Sequence, residues 1–277
     1  MTSVTVTVRA PAKVNLYLGV GRRRSDGYHE LGTVYQAISL YDEVTARRGP
    51  GIRVHVTGRD AHLVPTGTHN LAYQAVAALA GHTGMSAGIH LHIAKKIPVA
   101  AGLAGGSADA AAALVAADAL WETGLSRAAL TELAADLGSD VPFCVLGGTA
   151  VGTGRGEQLS PALVRGQFHW VLALAEGGLS TPAVYAEHDR VTRAAAPPPD
   201  VPTRLLAGLR AGDTAAVAHA LHNDLQAAAC SLMPDLARVL DAGRAAGALG
   251  GLVSGSGPTV AFLVADAQAG QELGAAL

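Results

Sequence analysis

The chain has 277 residues, of which 49% are hydrophobic and 15% are charged, with a formal net charge of −2 at pH 7. These values are typical of one large or two ordinary globular domains with a substantial core, and they exclude a disordered chain. The near-neutral charge gives no reason to expect a nucleic acid as partner.

The hydrophobic residues are spread along the chain. No run approaches the roughly 18 to 20 apolar residues of a membrane span, and the alternating N-terminal residues do not resemble an export signal. The two cysteines, Cys144 and Cys230, stand in apolar surroundings typical of buried, reduced thiols. We therefore expect a cytoplasmic protein that binds no membrane.

The N-terminal region is predicted to form strands. Alternating apolar residues indicate a strand at 4–9, and the pattern resumes at 14–18 after an interruption at Pro11. Lys13 and Asn15 fall on the polar side of the second run. They could line a pocket, although this pattern alone favours a solvated strand face.

A turn signal, Ser25-Asp26-Gly27, follows three arginines at 22–24 and precedes Tyr28 and His29. Loops that carry tyrosine, histidine and arginine suit small ligands, and a hairpin tip with solvated charges is the alternative. Further strands are predicted at 33–46, 51–57 and 88–94, with an alanine-rich helix at 70–81 between the last two.

The segment 98–111, PVAAGLAGGSADAA, is a loop of small residues that opens into a helix predicted over 107–123 and ended by Gly124. Such a loop lets backbone N–H groups approach an anion, towards which the helix directs its positive end. The segment predicts a phosphate-binding loop, with a plain turn as the alternative. Lys95 and Lys96, just before it, either add positive potential or end a strand in solvent.

Three acidic or hydroxyl side chains are candidates for chemistry near helix starts. Ser107 and Asp109 are predicted in the first turn after the loop, where Asp109 either suits the helix dipole, the favoured interpretation, or faces a phosphate-bound metal. Ser126 is predicted to cap a helix that ends at Gly138. If Ser139 caps another short helix, Asp140 lies in its first turn, ionised, as a cap or a base.

The remaining chain mixes strands and helices without strict alternation. The predicted elements are a hairpin at 149–159, a strand at 169–175, a helix from Thr181 that carries Tyr185, a loop at 194–202, helices at 213–230 and 234–248, strands at 251–254 and 259–264 around a tight loop at 255–258, and a last helix from 266. This pattern favours an α+β fold in two lobes. We place the division at residue 160, with domains at 1–160 and 161–277.

Three motifs in this order resemble those of the GHMP kinase superfamily: PAKVNL at 11–16, the loop at 98–111 and SGSGPTV at 254–260. The segments RSDGYHEL (24–31) and LGSDVPF (137–143) are most similar to superfamily members of the non-mevalonate isoprenoid pathway. The resemblance implies a two-lobed fold with an N-terminal ATP-binding lobe and a C-terminal ferredoxin-like lobe that contributes to the substrate site.

The resemblance also implies an activity, namely phosphoryl transfer from ATP to the 2-hydroxyl of a methylerythritol that carries cytidine diphosphate. Asp140 would accept the hydroxyl proton, and Lys13 would keep Asp140 ionised and stabilise the transferring group. Mg²⁺ would bridge the ATP phosphates, with Ser107 and Asp109 as the nearest candidate ligands. The implied ATP-binding residues are Pro98, Val99, Ala100, Ala101, Gly102, Leu103, Ala104, Gly105, Gly106, Ser107 and Ala108.

The implied acceptor site uses aromatic and amide side chains. Tyr28 and Tyr185 would stack on the cytosine, His29 would read the edge of the base, and Asn15 would contact the polyol. The protein would act as a monomer or homodimer. A kinase of the superfamily for mevalonate, homoserine or a sugar is one alternative, which the segment around Tyr28 argues against. A non-catalytic nucleotide-binding regulator is another, and it would be expected to lose Lys13 or Asp140.

The loop departs from the glycine-rich form of the family at three positions, Ala100, Ala101 and Ala104. Alanine adopts a positive φ only at a cost. If any of these positions requires that conformation, we expect the loop to differ locally.

Overall fold

The computed structural model describes residues 4–192 and 199–277, so most of the loop predicted at 194–202 lies outside the described residues. The strands are β1 (Thr5–Arg23), β2 (His29–Arg48), β3 (Ile52–Gly58), β4 (Ile89–Lys95), β5 (Thr149–Thr153), β6 (Gln158–Pro161), β7 (His169–Ala173), β8 (His222–Asn223), β9 (Gly250–Val253) and β10 (Val260–Val264). The helices are α1 (Leu71–Thr83), α2 (Gly105–Trp121), α3 (Arg127–Leu137), α4 (Val141–Leu146), α5 (Thr181–Thr192), α6 (Thr203–Ala211), α7 (Thr214–Ala220), α8 (Gln226–Leu232), α9 (Asp235–Ala245) and α10 (Ala267–Ala276).

The mixture of helices and strands confirms the predicted α+β class, with 40% of the chain helical and 29% in strands. Across the part of the chain that the structure describes, no helix has both the length and the apolar character needed to cross a membrane.

The chain forms two compact units that are interleaved in sequence. Unit 1 comprises the described part of Met1–Lys13, Ala37–Val99 and Ala104–Gly147, and unit 2 comprises Val14–Gln36, Ala100–Leu103 and the described part of Gly148–Leu277. The predicted domains, 1–160 and 161–277, are each continuous in sequence, so the interleaved units neither confirm nor contradict that prediction.

Unit 1 combines a sheet with a helical layer. In the sheet, β3 runs parallel to β4. Strand β4 runs antiparallel to β2, with Ala94 paired to Glu43 and Ile89 paired to Arg48. Helices α1, α3 and α4 all pack against α2. Helix α2 is buried on most of its surface, because its alanines, at Ala110–Ala113 and beyond, let the neighbouring helices approach closely.

Unit 2 contains two sets of strands. One set pairs β5 with β2 and β6, and β8 with β1 at Tyr17 and Leu18. The other is an antiparallel sheet in the order β7-β10-β9. Its core packs Phe262 and Val260 of this sheet with Val184 of α5 and Leu236 of α9.

One predicted break and one predicted helix are wrong. Strand β1 runs unbroken through Pro11, and because β8 pairs with β1 only from Tyr17, the missing proline N–H costs no bond to β8. The helix predicted at 213–230 is interrupted by β8. There the buried side chain of Asn223 donates to the carbonyl oxygens of Val253 and Gly255, at 2.7 and 2.8 Å.

Helix α2 also differs from its prediction at both ends. It begins at Gly105 rather than Ser107 and ends at Trp121, and Glu122 adopts the left-handed conformation at its end with φ of 57°. The predicted terminator, Gly124, lies beyond that point.

Candidate active site

Lys13 and Asp140, which unit 1 brings together, form the charged pair of the site. Lys13 lies on β1 and is 4% exposed. Its Nζ atom lies 3.6 Å from Oδ2 of Asp140, whose side chain retains 32% of its exposure. The lysine side chain is thus buried beside a carboxylate that remains partly accessible to solvent.

Asp140 owes its position to the start of α4. It occupies the N-cap position itself, without a hydrogen bond from its side chain to the helix, so the predicted cap at Ser139 is wrong. Pro142 stands in the first turn of the helix, where its missing N–H is harmless. The carboxylate therefore sits at the positive end of α4 without being consumed as a cap.

Cys144 lies one turn further along α4 and is buried. Burial, and then the negative charge of Asp140, raise the pKa of its thiol far above the ordinary value. The thiol is thus neutral and inert beside the charged pair.

The loop at 98–111, which is predicted to bind phosphate, adopts the left-handed conformation at three positions. The φ angles of Ala100, Gly102 and Ala104 are 54°, 74° and 59°. Two alanines thus bear a conformation that costs an L-residue roughly 1–2 kcal/mol each. Strain of this kind is the local consequence of alanine at positions 100 and 104.

Within unit 2, residues 100–103 of the loop lie against the second glycine loop. Ser254 Oγ donates to the carbonyl oxygen of Gly102 at 3.2 Å, and the Thr259 amide donates to Ala101 at 3.4 Å. A Cβ atom at Gly102 would lie 2.2 Å from the Ser254 carbonyl oxygen. Glycine is required there for this approach as well as for its φ, and Asn223 fixes the far side of the same loop.

Within unit 1, a buried cluster lies beneath the start of α2. Lys95 is 3% exposed and its Nζ donates to Asp42 and, at 2.8 Å, to Asp109. Asp42 also accepts from the backbone amides of Lys96 and Ile97, at 2.6 and 2.9 Å. Lys95 is therefore neither a solvated strand end nor a free cation at the loop, whereas Lys96 is exposed.

Asp109 belongs to this cluster and lies in the second turn of α2, not the first as predicted. Burial raises its pKa to about 7 against the opposing effect of Lys95. Its Oδ1 atom is buried without a hydrogen-bond partner among the described residues. Held by a buried ammonium group, Asp109 does not fit a Mg²⁺ ligand, whereas Ser107 in the first turn is partly exposed and does fit.

No three histidine, cysteine, aspartate or glutamate side chains within 4–192 and 199–277 are grouped so that they could hold a metal ion. Mg²⁺ commonly binds through one or two protein ligands together with phosphate oxygens and water, so a protein cage is not required.

Unit 2 carries the predicted base-reading residues. His29 is 7% exposed, and its Nε2 lies 2.8 Å from Oδ1 of Asp189. The Tyr185 ring stacks on His29, with centroids 5.0 Å apart and planes at 25°. Tyr185 thus contacts the histidine, a contact that the predicted pairing with Tyr28 did not anticipate.

Tyr28 lies at the tip of the β1–β2 hairpin, after the predicted turn, and is 52% exposed. The Arg155 guanidinium carbon lies 4.9 Å from the centre of its ring. Sequence reasoning missed both Arg155 and Asp189. Their partners, Tyr28 and His29, are distant in sequence and are brought near only by the fold.

Asn15 is buried rather than on a solvated strand face, with 2% exposure. Its Nδ2 donates to Thr33 Oγ1 at 2.9 Å, and this hydroxyl donates to the Tyr17 carbonyl oxygen at 2.7 Å. This chain of hydrogen bonds fixes the orientation of the amide.

Two family models match the chain. One is described as the GHMP kinases N terminal domain and matches residues 70–148, and the other is described as GHMP kinases C terminal and matches residues 205–277. The matched segments include the phosphate loop, Asp140 and the second glycine loop.

Curated relatives match nearly the full length. A 4-diphosphocytidyl-2-C-methyl-D-erythritol kinase of Streptomyces avermitilis is 55% identical over 99% of this chain and 93% of its own length. Another, from Thermobifida fusca, is 59% identical over 99% of this chain and 91% of its own length.

Solved structures share the fold. The crystal structure of a 4-(cytidine 5'-diphospho)-2C-methyl-D-erythritol kinase matches with a TM-score of 0.80 and 34% identity, covering 97% of this chain and 93% of that one. A homoserine kinase from Cytophaga hutchinsonii matches with a TM-score of 0.76 at 21% identity, covering 100% and 90%. The second likeness concerns the fold alone.

Proposed function

Because the chain belongs to the GHMP kinase family, we propose that it phosphorylates the 2-hydroxyl of 4-diphosphocytidyl-2-C-methyl-D-erythritol with ATP as donor. The observation that carries this proposal is the 55–59% identity over nearly the whole chain to relatives named for this substrate. The charged pair and the base-reading residues support it.

The acceptor hydroxyl must lose its proton as it attacks the γ-phosphorus. Asp140 accepts that proton, since its carboxylate stands at a helix start and is partly exposed. Lys13, 3.6 Å away, pairs with the carboxylate and stabilises negative charge on the transferring group. General-base help of this kind contributes about 10²- to 10⁴-fold to the rate.

The ATP phosphates bind to backbone N–H groups at the start of α2, between Gly102 and Ser107. Left-handed residues at Ala100, Gly102 and Ala104 support this, because backbone concavities that bind anions are built with such conformations. Ser107 is the residue that would hold Mg²⁺ together with the phosphate oxygens. When bound, the ion neutralises charge on the β- and γ-phosphates.

The cytosine is read by His29. Because the Asp189 carboxylate can only accept, the Nε2–H of His29 donates to it, and in the neutral ring Nδ1 is then an acceptor. An acceptor suits the exocyclic amino group of cytosine and rejects the carbonyl oxygen at the same position of uracil. His29 therefore selects cytidine over uridine.

Tyr28 and Tyr185 provide ring faces for stacking on the base, each worth roughly 1–3 kcal/mol. Asn15 contacts the polyol through the amide that Thr33 orients. We place this reaction in the cytoplasm, where ATP is supplied, and expect a monomer or homodimer.

The test is the identity of the product. The wild-type protein is incubated with ATP and the cytidylyl substrate, and the product is examined by phosphorus and proton NMR. The proposal expects a new phosphomonoester coupled to the 2-position. ATP consumption without that ester, or phosphate at another hydroxyl, would contradict it.

A further inference from the structure

The turn between β5 and β6 is fixed against β2 within unit 2. The Leu31 amide donates to the Gly154 carbonyl oxygen at 2.7 Å. Gly156 has φ of 100°, and a Cβ atom there would lie 2.3 Å from the Tyr35 hydroxyl. The turn is therefore held by a hydrogen bond on one side of Arg155 and by close packing on the other.

Arg155 is in turn held by Glu157. The Arg155 amide donates to Glu157 Oε2 at 2.6 Å, and the guanidinium lies 4.0 Å from Oε1 of the same side chain. With 27% of its side chain exposed, Arg155 is more restrained than a surface arginine. Its guanidinium has a defined place, 4.9 Å from the centre of the Tyr28 ring.

The backbone of Tyr28 is fixed at the hairpin tip. Its amide donates to Asp26 Oδ1 at 3.1 Å, and its carbonyl oxygen accepts from the Arg24 amide at 2.7 Å. The side chain is 52% exposed, and the Arg155 guanidinium lies over one face of its ring.

We propose that Arg155 is a positioning residue for substrate recognition: its guanidinium covers one face of Tyr28 and so presents the opposite face, preorganised, to the cytosine. This inference rests on the proposed function and adds a residue to its acceptor site. A cation is attracted electrostatically to the face of an aromatic ring. The positive charge of Arg155, and not only its bulk, therefore contributes to holding the Tyr28 ring.

The expected effect is confined to the acceptor. Loss of the guanidinium frees the Tyr28 ring, and the substrate must then bear the cost of ordering it. The KM and dissociation constant of the cytidylyl substrate should rise about 3- to 30-fold, with kcat and the KM of ATP little changed.

The experiment compares Arg155→Met with Arg155→Lys by substrate calorimetry and steady-state kinetics. Methionine keeps length without charge, and lysine restores a cation. Arg53→Met, at an exposed arginine on β3, is the matched control. The inference expects Arg155→Met to lose acceptor affinity clearly and Arg155→Lys to retain part of it. Arg53→Met should bind the acceptor as tightly as the wild type.

A double-mutant cycle separates positioning from general stability. In a Tyr28→Leu background, Arg155→Met should cost almost nothing, because the ring it restrains is gone. The inference would be overturned if the two substitutions lowered acceptor affinity additively, or if Arg155→Met lowered the affinities for ATP and for the acceptor equally. If the wild type binds and turns over the substrate while Arg155→Met binds it equally well, the inference alone fails; if the wild type binds no cytidylyl substrate, the proposed function fails with it.

Discussion

The Nζ atom of Lys13 lies 3.6 Å from Oδ2 of Asp140, a separation that keeps the two groups paired while 32% of the aspartate side chain stays exposed. In a shorter and fully buried ion pair, the carboxylate would be inaccessible to an acceptor hydroxyl. This pair instead leaves the Asp140 carboxylate accessible, as the proposed role of general base requires.

Asp140→Asn should therefore lower kcat by about 10²- to 10⁴-fold with little change in the KM of ATP, because an amide cannot accept the hydroxyl proton. Steady-state kinetics measure this, with thermal melting to show that the variant is folded. Asp136→Asn, at an exposed aspartate of α3, is the matched control. A folded Asp140→Asn variant with undiminished kcat would rule out the assigned role.

The contact between His29 and Asp189 predicts selectivity for the base. In Asp189→Asn the amide can donate or accept, so the histidine ring is no longer held with Nδ1 as the acceptor. The ratio of kcat/KM for the cytidylyl substrate to that for its uridylyl analogue should fall several-fold. Asp241→Asn, at a residue with a 76% exposed side chain, should leave the ratio unchanged. An unaltered ratio in Asp189→Asn would show that the contact between His29 and Asp189 does not select the base.

The strained loop predicts an unusual stabilising substitution. Because Ala104 has φ of 59° at the start of α2, Ala104→Gly relieves strain that exceeds the added entropy of the unfolded chain. The free energy of unfolding should rise by about 0.5–1 kcal/mol. Ala128→Gly, at an exposed position of α3, should lower it by about 1 kcal/mol. Urea titrations give both values, and the same sign for both would contradict the strain.

The raised pKa of Asp109 predicts a pH dependence of stability. Between the ordinary pKa of 3.8 and the folded pKa of about 7, the folded protein holds a proton that the unfolded chain has released. Wild-type stability should thus fall relative to Asp109→Asn as pH rises from 5 to 7, by up to ~1.4 kcal/mol per pH unit, and level off above. Parallel stability curves for the two proteins across this range would show that Asp109 is ionised throughout.

Local signals predicted much of the fold. The alternation in β3 and β4, the cap at Ser126 and the turn at Ser25-Asp26-Gly27 depend on residues close in sequence, and the structure confirms them. The break at Asn223 could not be predicted, because its amide bonds to carbonyl groups about 30 residues further along the chain.

The candidate site was predicted where motifs carry it and missed where the fold assembles it. Lys13 and Asp140 followed from segments that resemble a known family, and the structure places them together. Asp42 reads as an ordinary strand residue, yet it anchors Lys95 in a buried cluster. Arg155 and Asp189 gain their partners from tertiary contacts that no spacing in the sequence reveals.

The most direct test of the account is a competition between acceptors. The wild-type enzyme is given ATP with equal concentrations of 4-diphosphocytidyl-2-C-methyl-D-erythritol, mevalonate and homoserine, and the phosphorylated products are quantified by mass spectrometry. The account predicts that phosphate is transferred to the cytidylyl substrate and that transfer to the other two is negligible. Preferential phosphorylation of mevalonate or homoserine would contradict the proposed substrate and the roles of Tyr28 and His29 with it.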